Sequence, residues 1–219
     1  MILGDDFHAE RITFENTSGD HGQALALRID GDRAALAGCR MLGWQDTLMV
    51  NKGRQYFRDC SIEGRVDFIY GDGTTVFDRC EVRSKNGGYV TAASTPQHQP
   101  FGLVFLHCRL TGDPTSWNNP YPAPDSPSGR AGPPRAALGR PWRPYASVTF
   151  LDCAMGDHIK PEGWDNWGKP ESEKTARYAE YNSTGPGAHP EQRVSWSRQL
   201  TKEEASRLTL SHILSGATS

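Results

Sequence analysis

FRDCSIEGRVDFIYGDGTTVFDRC, residues 57–80, begins and ends on the same short pattern, a phenylalanine three positions before a cysteine. An apolar residue precedes every cysteine of the chain in this way: Leu36 and Cys39, Phe57 and Cys60, Phe77 and Cys80, Phe105 and Cys108, Phe150 and Cys153. An earlier copy starts at Phe14 and has Thr17 in the cysteine place. From Phe14 to Phe77 the copies are separated by 22, 21 and 20 residues. A period near 20 residues with glycine-containing turns indicates a solenoid of stacked coils.

The type of solenoid follows from what fills each repeat. Leucine-rich repeats share this period but need a Leu-x-x-Leu-x-Leu frame, which the sequence does not contain. We therefore predict an all-β fold, a right-handed parallel β-helix, in which each coil adds strands to long parallel sheets. Equivalent residues then stack about 4.8 Å apart, and the cysteines form a ladder of small buried side chains. We favour this ladder over a disulfide framework because ladder neighbours seldom meet disulfide geometry.

Length and composition predict a single domain over residues 1–219 and exclude several kinds of partner. The net charge is −2 and no run of Lys or Arg occurs, so we expect no nucleic acid partner. Apolar stretches are too short to span a membrane, and MILGDDFHAE (1–10) does not read as a signal peptide. The cysteines and histidines lack zinc-type spacing, so we expect no metal site and no cofactor.

Two segments depart from the repeat. Residues 112–137 contain seven prolines, and we predict a long loop between coils there. Residues 201–214 are predicted to form a C-terminal helix, because Thr201 and Glu204 have the spacing of a capping box and apolar residues follow at roughly helical intervals.

The repeat also organises four polar residues. Gln23 and Gln45 each lie nine residues after the apolar residue of their repeat, and Asp46 and Asp67 each lie ten after theirs. Equal rank in successive coils means the same sheet and the same face. The sequence therefore predicts that the two glutamines are stacked neighbours, and that the two aspartates are too.

Stacked carboxyl groups indicate a reactive site. Two carboxylates about 5 Å apart repel, so one holds its proton while the other ionises, and acid and base roles can be divided between them. Such a pair serves an ester hydrolase, a retaining glycosidase or, with further carboxylates, a calcium-dependent lyase. The glutamines favour the ester hydrolase, because an amide N–H can stabilise a developing oxyanion.

Several motifs add a family resemblance. GWQDTL (43–48), GRVDFIYG (64–71) and LGRPWRPY (138–145) resemble the segments GYQDTLY, GTVDFIFG and LGRPW of pectin methylesterases. YVTAASTP (89–96) and PEGWDNWGKPE (161–171) resemble the bacterial branch of that family. The likeness runs almost throughout the chain and implies the parallel β-helix, secretion or a periplasmic location, and pectin as the partner.

The resemblance implies a role for each site residue. Asp67 is expected to attack the methyl ester carbonyl of a galacturonate unit. Asp46 would protonate the departing methanol and then act as the base toward water. Gln23 and Gln45 would stabilise the oxyanion, and Arg140 would pair with Asp67 and keep it ionised.

Substrate contacts are expected from four apolar side chains: Trp142, Trp44, Phe68 and Met49. Trp44 and Met49 depart from the tyrosines usual in the motif, as Arg65 departs from its threonine and Asp72-Gly73 from its Asn-Ala. We expect Arg65 and Asp72 to add charge near the cleft, and so to alter the preference between esterified and free neighbouring sugars.

The resemblance also implies that family members have several coils before the place where this chain begins. We therefore expect a frayed first coil that associates with other chains, with Gln23 the least well positioned catalytic residue. A catalytically weak or inactive β-helix that only binds acidic polysaccharide is the alternative function.

Overall fold

A computed structural model of the chain describes residues 1–113 and 135–215. Most of the predicted loop over residues 112–137 lies outside the described residues. The strands are β1 (His8–Glu10), β2 (Thr13–Glu15), β3 (Leu27–Ile29), β4 (Ala34–Ala37), β5 (Arg40–Leu42), β6 (Leu48–Val50), β7 (Arg54–Arg58), β8 (Ser61–Gly71), β9 (Thr74–Asp78), β10 (Glu81–Ala93), β11 (Leu103–Leu106), β12 (Arg109–Asp113), β13 (Ala136–Gly139), β14 (Ser147–Leu151), β15 (Ala154–Met155), β16 (Arg177–Tyr181) and β17 (Arg198–Gln199).

The strands form three parallel faces that wrap one core. The first face has the order β1-β4-β7-β9-β11-β14-β16-β17. The second face contains β2, β5, the first part of β8, the first part of β10, β12 and β15. The third contains β3, β6, the later parts of β8 and β10, and β13. Each coil visits the three faces in turn, so the chain is the predicted right-handed parallel β-helix.

The predicted ladder is present on the first face. Leu36 pairs with Phe57, and the register continues through Phe77, Phe105 and Phe150. The four phenylalanine rings stack with centroids 4.9, 4.6 and 4.5 Å apart. Offset stacking of this kind adds to the free energy gained from burying the rings.

The five cysteines are buried free thiols, as predicted. Each thiol donates a hydrogen bond to a carbonyl of the preceding coil, and from Cys60 onward that carbonyl belongs to the coil's leucine or phenylalanine. Cys60 Sγ, for example, lies 3.5 Å from the oxygen of Leu36, and Cys108 Sγ lies 3.2 Å from that of Phe77. A small polarisable thiol therefore fills the corner of the core and satisfies a carbonyl at the same time.

The earliest copy of the repeat was predicted wrongly. The register partner of Leu36 is Ala9, whereas Phe14 lies on the second face and pairs with Met41. The reason is the first coil's longer loop between β2 and Gln23, which shifts the count of residues. Arg11 supports the corrected register, because it lies two residues after Ala9 and has φ 53°.

One corner of the solenoid is a ladder of left-handed residues. The residue two positions after the ladder residue, which is apolar in every coil but the last, where it is Glu180, has φ between 50° and 59°: Arg11, Gly38, Asp59, Arg79, His107, Asp152 and Asn182. Non-glycine residues rarely adopt this conformation, and its free energy cost is tolerated where surrounding structure enforces it. This sharp turn from the first face to the second repeats along the axis.

The C-terminal segment differs from the single predicted helix over residues 201–214. The capping box between Thr201 and Glu204 is present and starts α1 (Lys202–Ser206). Thr209 then has an extended backbone, and its hydroxyl accepts a hydrogen bond from the amide of His212, so a second helix begins there, α2 (Leu210–Leu214). Ile213 of α2 packs on the first face. No helix in the described part of the chain is long and apolar enough to cross a membrane.

Candidate active site

Asp46 and Asp67 lie at equivalent positions of successive coils. Gln45 forms a parallel bridge with Val66 of the next coil. Asp46 and Asp67 each follow one residue later, so they are the next pair of neighbours in these two coils. The Asp46 amide donates to the Val66 carbonyl at 3.0 Å, and both aspartates are left-handed, with φ 60° and 51°. Asp is among the few residues that tolerate this conformation. The structure thus brings the two carboxyl groups together as the spacing predicts.

The environment of Asp46 favours its protonated form. Burial, followed by the negative charge of Asp67, raises the pKa of Asp46 to about 7, although the positive charge of Arg140 opposes the shift. Asp46 is 9% exposed, so little water reaches the carboxyl group. A carboxylic acid that keeps its proton near neutral pH can donate it to a leaving group.

Asp67 is held by a two-pronged ion pair. Arg140 Nε and Nη2 donate to the two carboxylate oxygens of Asp67 at 2.9 and 2.8 Å. The side chains are 15% and 9% exposed, so the pair is largely shielded from solvent. Burial raises the pKa of Asp67, and the hydrogen bonds from Arg140 work against that rise. Fork-to-fork geometry of this kind fixes orientation as well as charge.

Two aromatic rings clamp the guanidinium of Arg140. Its central carbon lies 3.9 Å from the ring centroid of Tyr89 on β10 and 3.7 Å from that of Trp167. Trp167 has φ 61°, and its amide donates to the Asp165 carboxylate at 2.7 Å, which positions the ring. Sequence reasoning missed Tyr89 and Trp167, although both lie within the motifs that carried the family resemblance.

Gln23 and Gln45 are stacked neighbours in successive coils, as predicted, and Gln45 directly precedes Asp46. They form a parallel bridge with each other, and the Ala24 amide donates to the Gln45 carbonyl at 3.1 Å. Gln23 is exposed and Gln45 is half-buried.

An apolar wall borders the carboxyl pair. The half-buried Trp142 meets Tyr70 edge to face, with ring centroids 5.8 Å apart, and Tyr70 is the register partner of Met49. Burial, followed by the charge of Asp46, raises the pKa of Tyr70, so its hydroxyl stays neutral. Sequence reasoning named Trp142 and Met49 but not Tyr70, which stands where the family motif has phenylalanine.

Phe68 does not belong to this wall, and the prediction that it contacts substrate is wrong. It is fully buried in the core at 0% exposure. Successive side chains of a strand point to opposite faces, so the residue after an outward-facing Asp67 points inward. Trp44, also expected to contact substrate, is half-buried, and Lys85 Nζ lies 4.4 Å from its ring centroid.

The two charged departures from the motif are not free charges in the cleft. Arg65 is 8% exposed and pairs with Asp20, with Nη1 to Oδ2 at 2.9 Å. Asp72 is also shielded, and burial raises its pKa. The expectation that both add charge to the cleft is therefore wrong for Arg65, whose positive charge is neutralised by the Asp20 carboxylate of the first coil.

The arrangement combines a buried carboxylate fixed by arginine with a carboxylic acid protonated near neutral pH. That combination suits a nucleophile and a proton donor acting on one substrate group. In the described residues, no three His, Cys, Asp or Glu side chains converge as metal ligands do.

Several known proteins are similar to this chain in sequence and in structure. A family model described as Pectinesterase matches residues 1–217. The chain is 42% identical over 207 residues to Pectinesterase 31 of Arabidopsis thaliana, an alignment that covers 94% of this chain and 60% of that protein. It superposes on the pectin methylesterase from carrot with a TM-score of 0.86 and 32% identity, over 98% of this chain and 67% of the carrot chain. A pectin methylesterase in complex with a hexasaccharide matches with a TM-score of 0.77 and 32% identity, over 99% of this chain and 72% of that one.

The chain is shorter than these relatives. It spans 60% of Pectinesterase 31 and 53% of Putative pectinesterase 11, both of Arabidopsis thaliana.

Proposed function

The chain belongs to the pectinesterase family, and from that premise we propose that it hydrolyses the methyl esters of polygalacturonate to pectate and methanol. The observation that carries the proposal is the pair of stacked carboxyl groups with unlike environments. Asp67 is fixed by two hydrogen bonds from Arg140, whereas the pKa of Asp46 is raised to about 7.

In the first step, a carboxylate oxygen of Asp67 attacks the ester carbonyl carbon. The carbonyl electrons move to oxygen, and the amides of Gln23 and Gln45 stabilise that charge. Collapse of the intermediate breaks the bond to the methoxy group, which takes the proton from Asp46 and leaves as methanol. The products of this step are an acyl-Asp67 anhydride and an ionised Asp46.

In the second step, Asp46 accepts a proton from a water molecule as the water attacks the acyl carbonyl. The anhydride bond breaks, Asp67 leaves as a carboxylate and so regains its charge, and the galacturonic acid is released and loses its remaining proton to solvent. Asp46 is protonated again, so the cycle closes without a cofactor. One group can act first as acid and then as base because its raised pKa lies near the working pH.

The wall of Trp142, Tyr70 and Met49 is the proposed contact surface for the sugar and its methyl group. Its rings provide apolar area beside the reacting carboxyl groups, and carbohydrate rings pack on such surfaces. The solved relative bound to a hexasaccharide supports an oligosaccharide as the ligand of this fold.

Two finer predictions are part of the proposal. The likeness of YVTAASTP and PEGWDNWGKPE to the bacterial branch remains a prediction, as does a secreted or periplasmic location. Both rest on the resemblance and on a cell wall polysaccharide as substrate.

In the alternative function, the chain would bind acidic polysaccharide but would not hydrolyse it. A third possibility, a calcium-dependent lyase, needs several carboxylates around one cation.

Methanol release separates these functions. Methylated pectin is incubated with the protein in the presence and absence of a chelator, and methanol and unsaturated products are measured. The proposal expects methanol release that the chelator does not change, and no unsaturated products. Pectin binding without methanol would identify the binding protein, and chelator-sensitive unsaturated products would identify the lyase.

A further inference from the structure

We infer that Arg65 and Asp20 act together as a tether that positions Gln23 against the rest of the site. The inference rests on the proposed function, because it assigns a positioning role toward the proposed oxyanion donor Gln23. Arg65 is the residue at which this chain departs from the threonine of the family motif.

The tether starts next to the proposed nucleophile. Arg65 precedes Val66 and Asp67 on β8, and its own amide donates to the Trp44 carbonyl at 2.7 Å. Its backbone is therefore fixed to the coil that carries Gln45 and Asp46. From there, Nη1 reaches both carboxylate oxygens of Asp20, at 3.0 and 2.9 Å.

Asp20 belongs to a coil further away. Gln23, Gln45 and Val66 are stacked neighbours in three successive coils. Arg65 directly precedes Val66 in the third coil, whereas Asp20 lies close to Gln23 in the first. The distance from the first coil to the third is about 10 Å. A threonine side chain cannot bridge that distance, whereas an extended arginine with an aspartate partner can.

The loop that contains Asp20 needs a contact that fixes its conformation. Residues 16–22 form the longer loop of the first coil, and it contains Gly19 and Gly22 at φ 77° and 126°. Glycines in this conformation give a loop many accessible backbone states. Asp20 lies between these two glycines and three residues before Gln23, so a contact at Asp20 limits the motion of the segment that carries the oxyanion donor.

The pair is better suited to positioning than to stability. The side chains of Arg65 and Asp20 are 9% and 4% exposed, and Arg65 Nε is buried without a hydrogen-bond partner in the described residues. A buried ion pair with an unsatisfied donor gains little net stability, and replacing both charges is often neutral or stabilising. Removing one charge alone leaves the other buried and unpaired.

This asymmetry gives a test that separates positioning from stability. The variants are Arg65→Thr, Asp20→Asn and the double variant. Each single variant is expected to unfold more easily, and the double variant to recover thermal stability. The tether predicts that methanol release does not recover, and that the double variant keeps a kcat roughly 10- to 100-fold below that of the parent, since a small misplacement of a catalytic group can cost about 100-fold. Recovery of kcat together with stability would overturn the inference.

A second readout does not depend on activity. Hydrogen exchange of the amides of residues 20–25, including the Ala24 amide that bonds to Gln45, is expected to be at least roughly tenfold faster in the double variant. The control is Arg33→Thr, which removes a solvent-exposed pair between two coils, with Asp6 at 2.7 and 2.8 Å, away from residues 20–25. It is expected to leave exchange at residues 20–25 and kcat unchanged.

Gln23→Ala completes the design. If Arg65 acts through Gln23, adding Arg65→Thr and Asp20→Asn to Gln23→Ala lowers kcat no further, because the group being positioned is already gone. Full additivity would show that the pair does not act through Gln23. If the parent protein released no methanol, the proposed function would fail, and the exchange comparison alone would decide whether the tether exists.

Discussion

Asp46→Asn is expected to make the protein more stable, and only at neutral and alkaline pH. The folded state raises the pKa of Asp46 from 3.8 to about 7, so between those values the folded chain holds a proton that the unfolded chain releases. Stability from this group is full below pH 4 and is lost as the pH rises through 7. Asparagine carries no titrating proton, so the variant does not suffer this loss.

The magnitude follows from the size of the shift. About three pKa units at about 1.36 kcal/mol each give an upper limit of about 4 kcal/mol above pH 7. Relaxation of the surroundings and water penetration around an ionised buried group reduce this to roughly 2 kcal/mol. For a chain of this length, that corresponds to a rise in Tm of roughly 4–8 °C at pH 8 and almost none at pH 4.

Thermal and urea unfolding at several pH values between 4 and 8 measure the effect. Asp59→Asn is the matched control, because Asp59 has a similar left-handed backbone, φ 52°, and its side chain is 56% exposed. It reports any gain from asparagine in that conformation, and surface substitutions usually change stability by less than about 0.5 kcal/mol. A difference between Asp46→Asn and the parent that is the same at pH 4 and pH 8, or a variant that is less stable at pH 8, would refute the reasoning.

Three further outcomes are expected. Asp67→Asn should abolish methanol release while pectin binding persists, and it should lower stability by about 3–5 kcal/mol because Arg140 loses its buried partner; more than a few per cent of residual kcat would contradict the nucleophile assignment. Arg140→Ala removes the group that lowers the pKa of Asp67, so the acid limb of the pH–activity profile should move to higher pH, and an unmoved limb would exclude this role. Phe77→Ala opens the stack of rings and should cost about 3–5 kcal/mol in urea unfolding, whereas a change below 1 kcal/mol would show that the ladder packs independently of its central ring.

The fold could be predicted because the residues that fill the core recur at a regular interval in the sequence. Leu36, Phe57 and Phe77 hold the same place in each coil, and a regular period leaves few other folds. The error at Phe14 arose because the first coil has a longer loop, which a count of residues cannot detect. The predicted position of Gln23 as the stacked neighbour of Gln45 is nevertheless confirmed, because the misplaced start and the longer loop offset each other by the same number of residues.

The candidate site was predictable only where it lies within the repeat. Asp46, Asp67 and Gln45 follow from position in the coil. The clamp of Tyr89 and Trp167 and the pair of Arg65 with Asp20 do not, because they join side chains of coils or loops that are distant in sequence. Phe68 is different, because the alternation of side chains beside Asp67 is enough to place it in the core.

The division of roles between the two aspartates originates outside both of them. Asp46 and Asp67 are chemically identical and occupy the same corner with nearly the same φ, so the repeat by itself gives them equal environments. The difference comes from Arg140, which is 73 residues from Asp67 in sequence and makes two hydrogen bonds to it, while it acts on Asp46 only as a nearby charge. The hydrogen bonds from Arg140 oppose the rise that burial causes in the pKa of Asp67, and a negative charge on Asp67 in turn helps Asp46 to retain its proton. Two equivalent residues of a solenoid can therefore become an acid and a base when one side chain from a later coil makes hydrogen bonds to one of them and not to the other.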